Sequence, residues 1–265
     1  MKQKIIFLNS FLPRTGHNFT AEVIKVFSNH EVLAHSRSET RLSSILESYY
    51  EVYDKKILFD SDREFMDELF INDLRQKIVR NSSYEYIMIK DTSFVGVERL
   101  PFIFPDDFHF ILIRDPKAVF LSLLKGMNLQ KKCLKNEVKK WGIPMGFYPY
   151  SYSKKLSNQV LEVFPKMEKH FIIRYEDLVN KDEKLLMELK EKFNTPKSLE
   201  KIKKEIEEIN VINSSFYKEV GATKIWDGKP KTDKFNPINR KLTNPFLRKG
   251  IEAGSLKLRK KLGYI

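Results

Sequence analysis

The 265-residue chain has one cysteine, Cys133, together with only two tryptophans, 10 glycines and 11 prolines. A lone cysteine excludes an intramolecular disulfide framework and a cysteine-rich zinc site, and fits a reducing compartment. Five scattered histidines offer no substitute metal cluster. The low glycine and proline content excludes collagen-like and low-complexity chains. No apolar run approaches the length of a membrane span; the first, Ile5-Ile6-Phe7-Leu8, stops at Asn9. The expectation is therefore no signal peptide, no integral membrane segment and a cytoplasmic location. Acid is also in short supply: 35 Asp plus Glu face 48 Lys plus Arg, a net charge of +13. What the chain does have is core material, with 42% apolar and 12% aromatic residues, so disorder is excluded and a single domain over residues 1–265 is expected.

A cationic surplus of this size favours polyanions: nucleic acid, an anionic membrane surface or phosphorylated small molecules. Much of it lies near the end, in Lys229, Lys231, Lys234, Arg240, Lys241 and the run Lys257 to Lys261. The plainer reading of such a tail is a solvated face. Charge alone does not choose.

Four short runs read as buried strands: Lys4 to Leu8, Tyr86 to Ile89, Phe108 to Ile113 and His170 to Ile173. Each is nearly continuous in apolar residues, the pattern of a sheet covered on both faces. Amphipathic stretches separate them, at Ala21 to Phe27, at Phe65 to Val79 with Met66, Leu69, Phe70, Leu74 and Ile78 in helical register, and at Pro116 to Leu124. Strand and helix in alternation predict an α/β fold, a three-layer parallel sheet flanked by helices. Residues 181–209 predict two surface helices broken at Asn194-Thr195-Pro196. Residues 213–245, with Gly221, Gly228, Pro230, Pro237 and Pro245, predict an ordered loop before a closing helix from Pro245 to Leu262.

In such a sheet, ligands bind beyond the carboxyl ends of the strands. After Leu8 the chain runs Asn9-Ser10-Phe11-Leu12-Pro13-Arg14-Thr15-Gly16-His17-Asn18, and a helical pattern begins near His17. A strand, a loop with Gly16 and a helix N-terminus present free backbone N–H groups to an anion. Arg14 adds a charge and Thr15 a hydroxyl. The loop is not a Walker A motif, because GxxxxGK[ST] is absent. The third strand ends in Arg114-Asp115-Pro116. Asp115 suits a helix N-cap and Pro116 the first helical position, while Ser122, two turns on, shares the face of the cap and can meet an anion held by Arg114.

Together these two turns resemble those of the PAPS-dependent sulfotransferases. In that family a Pro-Lys/Arg-Ser/Thr-Gly loop holds the 5′-phosphosulfate, matched by Pro13-Arg14-Thr15-Gly16, and an Arg with a Ser eight residues later holds the 3′-phosphate, matched by Arg114 and Ser122. Further matches are Lys90-Asp91-Thr92-Ser93-Phe94, Arg174-Tyr175-Glu176-Asp177-Leu178 and Leu262-Gly263-Tyr264, so the resemblance runs from about residue 4 to 264. Ser38-Glu39-Thr40-Arg41 is most similar to the Glu-Thr-Arg segment of the tyrosylprotein sulfotransferases.

The resemblance implies a P-loop-like sulfotransferase fold and a metal-free transfer of a sulfuryl group from PAPS to an acceptor hydroxyl, leaving 3′,5′-ADP. A glycan, lipid or small molecule is the favoured acceptor, and a protein tyrosine the alternative. It implies that Arg14 and Lys90 flank the transferring group, that Pro13 to Asn18 with Arg114, Ser122 and Tyr175 hold the nucleotide, and that Arg41 meets the acceptor. His17 and Asn18 depart from the family's usual Ser or Thr. For the general base Glu39 leads, with His17 and His35 as rivals, since a histidine of near-neutral pKa is competent. Outside the family stand an ATP-dependent kinase, which lacks its Walker lysine, and a polyanion binder. No nucleic-acid signature supports the latter, so no nucleic-acid partner is expected.

Overall fold

The computed structural model describes residues 3–32, 40–80, 82–127, 129, 133–220, 223–229, 238 and 244–265. The chain opens with β1 (Lys4–Ser10), α1 (His17–Ser28), the two-residue β2 (Glu31–Val32), α2 (Leu42–Tyr53), α3 (Asp60–Phe70) and α4 (Leu74–Val79). It continues through β3 (Tyr86–Asp91), α5 (Leu100–Ile103), β4 (Phe108–Ile113), α6 (Pro116–Lys125), α7 (Leu134–Gly142), α8 (Phe147–Val163), β5 (Phe171–Arg174) and α9 (Tyr175–Asn180). Then come α10 (Glu183–Phe193), α11 (Leu199–Glu208), β6 (Val211–Val220), β7 (Thr223–Lys229) and α12 (Pro245–Lys261). All four expected strands are present.

The main sheet has the order β2-β3-β1-β4-β5, and every pair in it is parallel. Its strands are apolar on both faces because both are covered. Ile6, Leu8, Met88, Phe110 and Leu112 face one helical layer built from α1, α9, α10 and α11. On the other face, Ile111 and Ile113 pack against α6, α8 and α12, while Ile5, Phe7 and Ile89 pack against α2 and α5. The sequence alternation thus sorts neighbouring strand residues into two cores.

Two expectations are corrected. The amphipathic stretch from Phe65 to Val79 is not one helix: α3 stops at Phe70, and α4 starts afresh after Asp73, its N-cap, at φ 62°. Asp tolerates the left-handed region where most side chains do not. Leu74, Ile78 and Val79 still pack on the β1 core, but Phe65, Leu69 and Phe70 on α3 are exposed. Part of the stretch 213–245 is a hairpin and not a loop, because β6 and β7 pair antiparallel with Val220 opposite Thr223. The two helices expected over 181–209 are α10 and α11, and the closing helix is α12.

Candidate active site at the switch point of the sheet

The connection from β1 leaves toward β3 and β2, whereas that from β4 leaves toward β5. The adjacent strands β1 and β4 therefore form the switch point of the sheet, and a crevice opens beyond their carboxyl ends. The loop after β1 and the Arg114 turn after β4 both emerge there.

The loop is held from inside. Ser10 Oγ and Thr15 Oγ1 both donate to the Leu12 carbonyl, at 2.8 and 2.6 Å. The Thr15 proton, expected to serve an anion, is thereby committed to the loop. Arg14 lies exposed at φ 70° and Gly16 at φ 114°. Such angles reverse the chain within a few residues, and Gly16 supplies one without side-chain strain. An ideal Cβ on Gly16 would also lie 2.3 Å from Cδ2 and Cε2 of Tyr175.

The Tyr175 ring is the platform on which the two turns meet. It is buried at the start of α9, edge-on to Phe19 on α1, with the Arg114 guanidinium 4.3 Å above its centroid. Arg114 Nη1 in turn donates to the Arg14 carbonyl at 3.3 Å. The structure therefore brings Arg14, Gly16, Arg114 and Tyr175 together. The C-terminal end of α6 adjoins them, since a Cβ on Gly126 would lie 3.3 Å from Arg14 Nη2; Ser122, one turn earlier on α6, is half-buried. Pro13 is exposed and Asn18 half-buried on the first turn of α1.

Lys90 reaches the site from the other side. It pairs with Leu8 in the register of β3 against β1, and it is 5% exposed. Its charge acts on His17, the first residue of α1, and burial acts more strongly. Burial first and Lys90 second bring the His17 pKa down to about 3, against a smaller upward pull from a hydrogen bond to the Asn9 backbone. His17 is thus neutral at physiological pH, which corrects the expectation of a near-neutral pKa. Its Nε2 is buried without a hydrogen-bond partner.

Beyond β3, the Thr40 amide bonds the Lys90 carbonyl at 3.4 Å, Ser43 Oγ donates to Asp91 Oδ2 at 3.4 Å, and Ser44 Oγ to Ser93 Oγ at 3.2 Å. These bonds pin the start of α2 to the Lys90-Asp91 turn. Arg41 is the exposed N-cap of α2. Glu39 and His35 lie outside the described residues.

Two acids of the described residues, Asp115 and Glu176, are turned to structural partners. Asp115 caps α6 through the Lys117 amide at 2.9 Å, as expected, and receives Arg259 of α12 at 2.9 and 3.4 Å. Glu176 accepts from the Asp115 amide at 2.9 Å and from the Tyr264 hydroxyl at 2.8 Å. Arg174 donates to the Leu262 carbonyl at 2.6 Å. Arg259, 144 residues from Asp115 along the chain, carried no sequence signal beyond its share of the basic tail. A hollow of about 760 Å³ near Asn29, Tyr86 and Lys197 lies at the amino ends of the strands, away from this chemistry.

No protein-family model matches the chain, and no curated protein matches it. The motifs and the geometry of their residues therefore stand on their own.

Proposed function

We propose that the chain is a PAPS-dependent sulfotransferase acting on an acceptor hydroxyl. The observation that carries this reading is the N-terminus of α1. It has no side-chain cap and no acid in its first turn, it holds the unpartnered Nε2 of His17, and it opens beside Arg14, Lys90 and Arg114. A helix end in this condition, ringed by cations, is suited to a phosphorylated ligand.

PAPS supplies an activated sulfuryl group, whose sulfur bonds to the acceptor oxygen as its bond to the 5′-phosphate oxygen breaks, leaving 3′,5′-ADP. The amides of Gly16 and the first turn of α1 hold the 5′ end of the nucleotide, and Arg114 with Ser122 holds the 3′-phosphate. Arg14 and Lys90 supply positive charge for the departing oxygen. The acceptor proton passes to a carboxylate or imidazole, for which Glu39 is the first choice and His35 the second. His17, held neutral with a low pKa, is a weak base and serves better as a hydrogen-bonding group.

The test is thermal stability with 3′,5′-ADP, with 5′-ADP and with ATP plus Mg²⁺ at fixed salt. A ligand at about a hundred times its Kd adds roughly 2.7 kcal/mol, or about 5–10 °C for a chain of this size. Stabilisation by 3′,5′-ADP alone is expected. A preference for ATP with Mg²⁺ would replace the sulfotransferase by a kinase.

A further inference from the structure

We propose that α7, with the groove it forms against α8, docks the protein onto an anionic lipid bilayer. Leu134, Val138 and Trp141 stand at i, i+4 and i+7 on one stripe of α7, and they are 82%, 61% and 75% exposed. The apolar surface continues through Met145 and Phe147, both exposed, to Phe246, whose backbone abuts Gly146. Beside the stripe lies a groove of about 710 Å³, with Tyr148, Tyr152 and Leu156 in its wall and Lys135, Lys139 and Lys155 at its rim.

The charge on these two helices is predominantly positive. Lys135, Lys139, Lys140, Lys154 and Lys155 come from the two helices, and the one acid of α7, Glu137, is held by Lys140 at 2.7 Å. An isolated exposed leucine needs no explanation, but a contiguous apolar stripe does. Lysine is depleted from protein–protein interfaces, whereas a short helix with Leu, Val and Trp on one face and lysines on the other is the pattern of an interfacial membrane helix. The Lys139 ammonium lies 5.5 Å from the Tyr148 ring centroid and that of Lys154 5.3 Å from that of Tyr150; on a bilayer, long lysine side chains would keep their stems on the apolar surface and turn their ammonium groups to the headgroups. The rival occupant is a second copy of this chain, whose α3 carries exposed Phe65 and Leu69 among Asp60, Asp62, Glu64, Asp67 and Glu68.

Leu134 follows Gly126 by eight residues, a reach of at most about 28 Å, and Gly126 lies beside the Arg14 guanidinium. Docking through α7 thus keeps the switch-point crevice near the bilayer. The inference does not depend on sulfuryl transfer, and its test has no catalytic readout.

The full chain carrying Trp226→Phe, which leaves Trp141 as its one indole, is mixed with vesicles of phosphatidylcholine alone or with roughly a third phosphatidylserine. Binding is followed by co-sedimentation and Trp emission, and self-association by sedimentation velocity. Binding to the anionic vesicles alone is expected, with a blue shift of Trp141 and weakening by salt. Leu134→Ser with Val138→Ser should abolish binding while leaving the thermal melt unchanged, since both side chains are solvent-exposed. Lys135→Glu with Lys139→Glu should lower affinity by at least about 25-fold, at about fivefold per lysine lost. Three results overturn the proposal: no vesicle binding, binding that the stripe and lysine variants leave intact, or self-association that those variants abolish, which would assign the face to a second copy.

Discussion

Replacing Gly16 by alanine tests whether the two turns are built on the Tyr175 ring. At φ 114° an L-residue is strained, which costs about 1–2 kcal/mol. The new Cβ would also come within 2.3 Å of two ring carbons, and relieving that overlap costs about 1–3 kcal/mol. Gly16→Ala should therefore destabilise the protein by about 2–5 kcal/mol, read as a shift of the urea midpoint at constant m or a fall in Tm of roughly 4–20 °C. Only the second part involves the ring. In a Tyr175→Val background the backbone strain remains while the overlap disappears, so the double variant should be more stable than the sum of the singles predicts by about 1–3 kcal/mol. Because Arg114 leans on the same ring at 4.3 Å, affinity for 3′,5′-ADP should fall with Gly16→Ala even where the protein remains folded. Strict additivity of the two substitutions, or a single-site cost below about 0.5 kcal/mol, would refute the reasoning.

Acid should destabilise the fold through its histidines. Burial lowers the pKa of His17 and His30 to about 3 and of His170 to about 4, so their contribution is complete above the unfolded value of 6.5 and is lost as pH falls below it. Between pH 7.5 and 5.5 the loss is about 1.4 kcal/mol per histidine, roughly 4 kcal/mol for the three, and urea titrations that agree within about 1 kcal/mol at the two pH values would contradict it. Asp115→Ala removes the cap of α6 and the partner of Arg259, and should cost about 1–3 kcal/mol; a double-mutant cycle with Arg259→Ala should show the two effects to be coupled. Arg14→Ala and Lys90→Ala should each lower turnover by about 10²–10³, whereas Arg114→Ala should chiefly weaken 3′,5′-ADP binding in calorimetry. Glu39→Gln should cost about 10²–10⁴ in turnover with nucleotide affinity intact, and a variant that keeps most of its turnover would move the base to a histidine.

The parallel sheet was legible because strands buried on both faces must be apolar throughout, a constraint visible in Lys4 to Leu8 and Phe108 to Ile113 without any knowledge of the partner strand. Asp115-Pro116 was legible for a similar reason: capping is local, and the residues that satisfy it are adjacent in sequence. The hairpin of β6 and β7 was obscured because Gly221, Gly228 and Pro230 read as loop punctuation. The usable signal was Gly221-Ala222 between two runs containing Val, Ile, Phe, Tyr and Trp, which is the length of a two-residue hairpin connection. On α3 the periodicity was correct but its meaning was not. A helical stripe shows which residues share a face; it does not show whether anything covers that face.

The candidate site divides along the same line. Pro13 to Gly16 and Arg114 could be found because each follows its own strand, and Lys90 because it stands at the carboxyl end of β3. What holds them in register is long-range: Gly16 and Arg114 meet on Tyr175, and Asp115 is shared between Arg259 and, through its amide, Glu176. Glu176 in turn receives the Tyr264 hydroxyl. The Arg114 turn is thereby tied to the last residues of the chain, so any ligand that engages Arg114 is energetically linked to the docking of α12. That linkage gives Leu262-Gly263-Tyr264 a physical part in the site although none of these residues needs to touch a ligand. Gly263 turns at φ 72° and leaves room for Arg174, whose Nη2 would lie 2.9 Å from a Cβ there, to bond the Leu262 carbonyl. A terminal tripeptide that looked like an appended match is thus part of what fixes the Arg114 turn.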